Sequence, residues 1–112
     1  IIDGRYNGGG FIPDRMIEIL ARQPLNYWKR RGLDPQAQPF LSHRGPKAML
    51  INELAGSGGD AMPWFFRKLK GGALIGKRTW GGLVRASGPP ALMDGGGVTS
   101  PNGAVYGLNG EW

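Results

Sequence analysis

The fold is decided by residues 52–60, which read Asn-Glu-Leu-Ala-Gly-Ser-Gly-Gly-Asp. An apolar run at 47–51 precedes them and predicts a buried strand, and the pattern of 62–69 predicts a helix. Ser57 stands at the turn between the two, among small residues. A serine on a sharp strand-to-helix turn is typical of a nucleophile elbow, although Ala55 replaces the first glycine of the usual G-x-S-x-G pattern. A glycine- and serine-rich loop that only caps the helix explains the same residues equally well.

A second glycine-rich turn occurs near the start of the chain. Residues 8–10 are all glycine, they follow a strand-like stretch, and Pro13 suits the first position of a helix after them. The two turns of adjacent parallel strands would lie at one edge of a sheet, where open α/β sheets bind ligands. The amide of Gly58 would then face an oxyanion formed at Ser57. With a third short strand at 73–76, these units predict an α/β layered arrangement.

The remaining stretches give weaker signals. Residues 23–45 carry three prolines and predict irregular structure, and the chain after residue 83 predicts short strands and turns, with strand candidates at 98–99 and 104–106. Asp60 suits a helix N-cap or first turn, and Pro63 is expected only near a helix start.

The composition limits the classes of function. A length of 112 residues predicts at most one domain. The absence of cysteine excludes disulfides, thiolate metal sites and a cysteine nucleophile, and a single histidine leaves no visible metal site. The net charge of +6 is spread along the chain without a recognisable nucleic-acid-binding module, so we expect no nucleic-acid partner. No apolar run approaches the roughly 20 residues of a membrane span.

Three motifs occur in order along the chain: Arg-Tyr-Asn-Gly-Gly-Gly at 5–10, Asn-Glu-Leu-Ala-Gly-Ser at 52–57, and Leu-Ile-Gly-Lys-Arg-Thr-Trp-Gly-Gly at 74–82. Together they resemble the catalytic core of the tail-specific serine peptidases, peptidase family S41, and most closely its tricorn-type branch. The resemblance implies a ClpP/crotonase-like ββα superhelix rather than a doubly wound sheet. It also implies that residues 1–112 are a fragment of one catalytic domain, cut at both ends.

The resemblance also implies roles for single residues. It makes Ser57 the nucleophile and the backbone amides of Gly10 and Gly58 the oxyanion hole. It implies a peptide substrate, no cofactor and no metal. Members of the tricorn-type branch assemble as oligomers, so we expect a homo-oligomer that also depends on the rest of its own chain.

The base that activates the serine differs between branches of the family. One branch uses a lysine in a Thr-Phe-Gly-Lys-Gly segment, but Gly82 stands at that lysine's place, and Lys77 comes too early in the motif to replace it. The tricorn-type branch uses a histidine oriented by a Ser and a Glu. His43 does not fit, because a strand of about eight residues at about 3.3 Å each separates it from Ser57. We expect the histidine and the glutamate to lie outside these residues, and the isolated fragment to be inactive.

Substrate preference is expected to depend on Trp28. The resemblance places Trp28 where relatives carry an acidic residue that favours basic side chains in the S1 pocket. Because an aromatic ring cannot form an ion pair with arginine or lysine, we expect apolar or small residues before the scissile bond.

Two other functions fit the same scaffold. One is a non-catalytic protein that binds apolar ligands, and the other is a crotonase-type acyl-CoA enzyme with paired oxyanion amides. Neither needs a serine nucleophile. The intact Ser57 between small residues therefore favours the peptidase.

Overall fold

A mixed arrangement of helices and strands forms the fold of the computed structural model, which describes residues 1–88 and 91–112. The described residues divide into two units, Ile1–Gly81 and Gly82–Trp112. The elements of the first unit are β1 (Ile2–Asp3), α1 (Ile12–Ala21), β2 (Asn26–Trp28), β3 (Gln36–Gln38), β4 (Ala48–Ile51), α2 (Gly58–Lys68) and β5 (Ala73–Gly76).

A parallel sheet of three strands in the order β1-β4-β5 organises this unit. Met49 of the central strand lies opposite Ile2 of β1 and Leu74 of β5. Since all three strands run in the same direction, the turns that follow them start from one edge of the sheet. This confirms the prediction that the two glycine-rich turns share an edge.

The core lies where the helices meet the sheet. Met49, Met62 and Phe66 are buried together, and Met49 and Phe66 are fully enclosed. Burying a side chain of this size contributes about 1.5–3 kcal/mol. Partly buried apolar side chains surround the three: Ile2, Met16, Ile17, Leu20, Ile51 and Leu74. The core therefore fixes α1 and α2 beside the strands from which the glycine-rich turns leave.

Helix α2 begins earlier than the apolar pattern predicts. The amides of Asp60 and Ala61 both donate to the carbonyl of Ser57, at 2.9 and 3.0 Å, so the first turn of the helix forms directly after the serine. The expectation that Pro63 stands near a helix start is wrong, since Pro63 lies inside α2. Proline removes a single backbone donor there, and the buried neighbours Met62 and Phe66 stabilise the helix around it.

Two antiparallel hairpins complete the described structure. In the first unit β2 pairs with β3, within the stretch predicted to be irregular. In the second unit β6 (Val84–Ser87) pairs with β7 (Ser100–Ala104), with an irregularity between Arg85 and Ala86. Of the two predicted strand candidates, 98–99 lies outside β7, and 104–106 shares only residue 104 with it.

Within the described ranges, no helix combines the length and hydrophobicity needed to cross a membrane.

Candidate active site

The first and second glycine-rich turns are joined by hydrogen bonds. The amide of Gly56 donates to the carbonyl of Asn7 at 2.9 Å, and the amide of Tyr6 donates to the Asn52 side-chain oxygen at 3.0 Å. Upstream, the amide of Gly4 donates to the carbonyl of Leu50 at 2.9 Å. The turn after β1 and the turn after β4 are therefore held side by side.

Ser57 occupies a strained position at the start of α2. Its backbone angles are φ 54° and ψ −114°, which a residue other than glycine rarely adopts. Such a conformation costs on the order of 1–3 kcal/mol and persists where the surrounding structure holds it. Ser57 stands at the N-cap position, yet its side chain makes no capping hydrogen bond. The geometry therefore favours the sharp elbow over the simple capping loop.

Gly9 brings the first turn against the serine. A Cβ built at Gly9 would lie 2.8 Å from the Cβ of Ser57 and 3.1 Å from its Oγ. A Cβ built at Gly58 would collide with the carbonyl oxygen of Gly10 and lie 3.1 Å from the Gly10 nitrogen. Only glycines permit this approach, so the two turns need them to meet at the half-buried Ser57.

Two backbone donors lie next to the serine without acceptors. Over residues 1–88 and 91–112, neither the amide of Gly10 nor that of Gly58 donates a hydrogen bond to the protein. Gly58 is the first residue of α2, where the helix dipole adds partial positive charge. The structure thus brings together all three residues predicted for the reaction centre, Gly10, Ser57 and Gly58.

A third loop, residues 77–81, also contacts the serine turn. The amide of Trp80 donates to the carbonyl of Ala55 at 2.8 Å, and the indole ring covers Gly56, where a built Cβ would lie 2.7 Å from a ring carbon. The amide of Gly81 donates to Asp60 Oδ1 at 2.8 Å. Asp60 lies in the first turn of α2, as predicted. These contacts join residues that are distant in sequence, and no pattern in the sequence predicts them beyond a third strand followed by a glycine-containing loop.

Lys77 forms an ion pair on the protein surface. Its Nζ lies 2.9 Å from Glu53 Oε1, and both side chains are exposed. The pKa of Glu53 is lowered by its own backbone N–H and then by Lys77. The lysine ammonium is therefore engaged beside the turn that precedes the serine.

The other residues considered from sequence lie apart from these contacts. Trp28 pairs with Gln36 in the β2–β3 hairpin and exposes 58% of its surface. The hydrogen bonds of the described residues do not join it to the serine turn. His43 precedes β4, whereas Ser57 follows it, so the two flank opposite ends of the strand. Among residues 1–88 and 91–112, no group of three or more His, Asp or Glu side chains could hold a metal ion.

Comparison with known proteins relates the whole chain to one family. The model of peptidase family S41 matches residues 1–112. The tricorn protease of Thermoplasma acidophilum is 41% identical over 106 residues, which are 95% of this chain and 10% of that protein. Tricorn protease homolog 1 of Streptomyces coelicolor is 34% identical over 106 residues, again 95% of this chain and 10% of the relative.

A solved structure agrees with these matches. The crystal structure of the tricorn protease superimposes with a TM-score of 0.74 at 41% identity, over 87% of this chain and 10% of that chain. The chain spans about a tenth of the length of the relatives it matches. Because the family model covers every residue and the fold agrees, the chain belongs to peptidase family S41.

Proposed function

We propose that this chain forms part of the catalytic domain of a serine peptidase that cleaves peptides through an acyl-enzyme on Ser57. One observation carries the proposal. The strained, half-buried Ser57 lies against Gly9, Gly10 packs against the next residue, Gly58, and the amides of Gly10 and Gly58 donate no hydrogen bond to the described residues. Membership of a peptidase family and the similarity to tricorn proteases support the same reaction.

The proposed reaction uses groups of two loops. Ser57 Oγ attacks the carbonyl carbon of the scissile bond and gives its proton to a base. The carbonyl oxygen becomes an oxyanion that accepts hydrogen bonds from the amides of Gly10 and Gly58, and losing one such donor typically costs about 3 kcal/mol. The C–N bond then breaks, and the amine leaves with the proton returned by the base. Water attacks the resulting ester in the same way, which releases the acid and restores the serine.

The base in this proposal is a histidine outside residues 1–112, oriented by a serine and a glutamate as in the tricorn-type branch. The glycine at position 82 and the ion pair between Lys77 and Glu53 both disfavour a lysine base. We further propose the ClpP/crotonase-like superhelix and a homo-oligomer for the whole protein. The chain on its own is expected to be inactive, because the oxyanion donors alone give only a small residual rate.

Labelling with a fluorophosphonate tests the reaction centre in the full-length protein. We expect the probe to modify Ser57, located by peptide mass spectrometry, and Ser57→Ala to lower peptide hydrolysis by at least about 10³-fold. Ser42→Ala is the matched control, because the Ser42 hydroxyl donates to the Pro39 carbonyl at 2.7 Å, far along the chain from the glycine-rich turns. Hydrolysis that survives Ser57→Ala would exclude the proposed nucleophile. Acyl-CoA turnover or binding of an apolar ligand that survives Ser57→Ala, in a protein that does not hydrolyse peptides, would favour one of the other two functions.

A further inference from the structure

Asp60 is a buried carboxylate with a specific partner. It lies in the first turn of α2, exposes 9% of its surface and accepts a hydrogen bond from the amide of Gly81 at 2.8 Å. A polar side chain is rarely held in so enclosed a place unless its hydrogen bonds offset the loss of water. The bond to Gly81 joins two segments that are 21 residues apart in sequence. It therefore fixes the third loop, residues 77–81, to the helix that begins at the serine.

The same loop holds the other side of the serine turn. Trp80 donates its amide to the carbonyl of Ala55 at 2.8 Å, and its indole ring packs on Gly56. The third loop thus contacts the two residues before Ser57 and, through Gly81, the helix turn after it. A strained φ of 54° needs such surroundings, because the backbone would otherwise relax to a more populated conformation.

We propose that Asp60 is a positioning residue for the reaction at Ser57. It acts through Gly81 and Trp80, which keep the serine turn in the strained conformation that presents Oγ beside the two free amides. The inference rests on the proposed function. As a positioning residue Asp60 acts on the serine turn and not on the substrate, so we expect its removal to lower the rate of the chemical step while substrate binding is largely kept. A misplacement of about 1 Å at a reaction centre can cost about 100-fold in rate.

The test compares two substitutions of Asp60 in the full-length protein. Asp60→Ala removes the acceptor, and we expect kcat to fall roughly 10- to 100-fold with KM changed by less than about threefold. Asp60→Asn keeps an oxygen for the Gly81 amide, so we expect it to restore most of kcat. Asp94→Ala is the matched control, because Asp94 Oδ1 accepts from the Gly96 amide at 2.9 Å in an exposed turn of the second unit. It should leave both constants unchanged.

Two further measurements separate positioning from loss of stability. Met49→Ala removes a fully buried core side chain and should lower stability without lowering kcat of the folded fraction. Hydrogen exchange at the amides of Trp80 and Gly81 should quicken in Asp60→Ala and not in Met49→Ala under conditions where both are folded. Should Asp60→Ala fail to fold, Trp80→Ala replaces it, because that side chain is 74% exposed.

The outcomes distinguish this inference from the function on which it rests. A wild-type protein that neither hydrolyses peptides nor reacts with a fluorophosphonate at Ser57 would overturn both. An active wild type whose Asp60→Ala and Trp80→Ala variants keep full kcat would overturn the inference alone. A fall in kcat that Asp60→Asn reverses, with the exchange of the Trp80 and Gly81 amides restored, would support it.

Discussion

Substitution of Gly9 by alanine probes the contact between the first glycine-rich turn and Ser57. The new Cβ would lie 2.8 Å from the serine Cβ and 3.1 Å from Oγ, whereas carbon atoms pack best at about 3.5–4.0 Å. Gly9 also has a φ of +125°, which residues with a side chain rarely adopt. Strain of this kind costs about 1–3 kcal/mol and overpacking a similar amount, so we expect a loss of about 2–6 kcal/mol in stability.

Alanine at the neighbouring glycines separates the cost of backbone strain from the cost of overpacking. At Gly8 a Cβ meets no atom within 4 Å, and its φ is not in the left-handed region, so Gly8→Ala should change stability by less than about 1 kcal/mol. At Gly10 the space is open but φ is +100°, so Gly10→Ala should show the strain alone, about 1–3 kcal/mol. We therefore expect the loss of stability to increase from Gly8→Ala through Gly10→Ala to Gly9→Ala.

Native-state hydrogen exchange of the amides in α2 and β4 measures these free energies locally, whatever the rest of the full-length protein contributes. The rate of fluorophosphonate labelling at Ser57 should fall in Gly9→Ala and stay near that of the wild type in Gly8→Ala. Equal stability losses for Gly9→Ala and Gly8→Ala would refute the reasoning, because they would show that neither strain nor a collision arises at position 9. Equal losses of stability for Gly9→Ala and Gly10→Ala would be explained by backbone strain alone. They would exclude a destabilising contact between the new Cβ at position 9 and the serine.

Two other predictions concern specificity and pH. Fluorogenic peptides with apolar or small residues before the scissile bond should be cleaved faster by the full-length protein than peptides with arginine or lysine, and a strong preference for basic residues would contradict the role expected for Trp28. The lowered pKa of Glu53 means that its favourable contact with Lys77 is present above the carboxyl's ordinary pKa and is lost as the pH falls through the lowered folded-state pKa. Because both side chains are exposed, Glu53→Gln should leave thermal stability at neutral pH almost unchanged, and a large drop in Tm would contradict this.

The parts of the site that the sequence predicted are those with a local signal. Strand β5 has the predicted bounds, Ala73–Gly76, because an apolar run between glycines is a short-range pattern. The shared edge of the two glycine-rich turns follows from parallel pairing, which two strand–turn–helix units require. Asp60 lies in the first turn of α2 because a carboxylate is favoured at a helix N-terminus.

Other features had no local signal. The first residues of α2 are two glycines, Asp60 and Ala61, and they show no apolar periodicity, so the start of the helix was placed too late. The strands of the β2–β3 hairpin have three residues each and lie among prolines, which hides their alternation. The packing of Trp80 on Gly56 joins distant segments, and no pattern within either segment encodes it.

The distribution of hydrogen bonds around the serine argues for a reaction centre over a merely tight turn. Before the serine, Ala55 accepts from Trp80 and Gly56 donates to Asn7, and after it Asp60 accepts from Gly81. Within residues 1–88 and 91–112, the serine hydroxyl and the backbone amides of Ser57, Gly58 and Gly10 make no hydrogen bond with the protein. A serine that served only to start α2 would be expected to cap the helix with its hydroxyl, as serine at this position ordinarily does, whereas the Ser57 side chain makes no capping hydrogen bond. The proposed function gives these groups a use, because the hydroxyl would serve as the nucleophile and the amides of Gly10 and Gly58 as donors to the oxyanion.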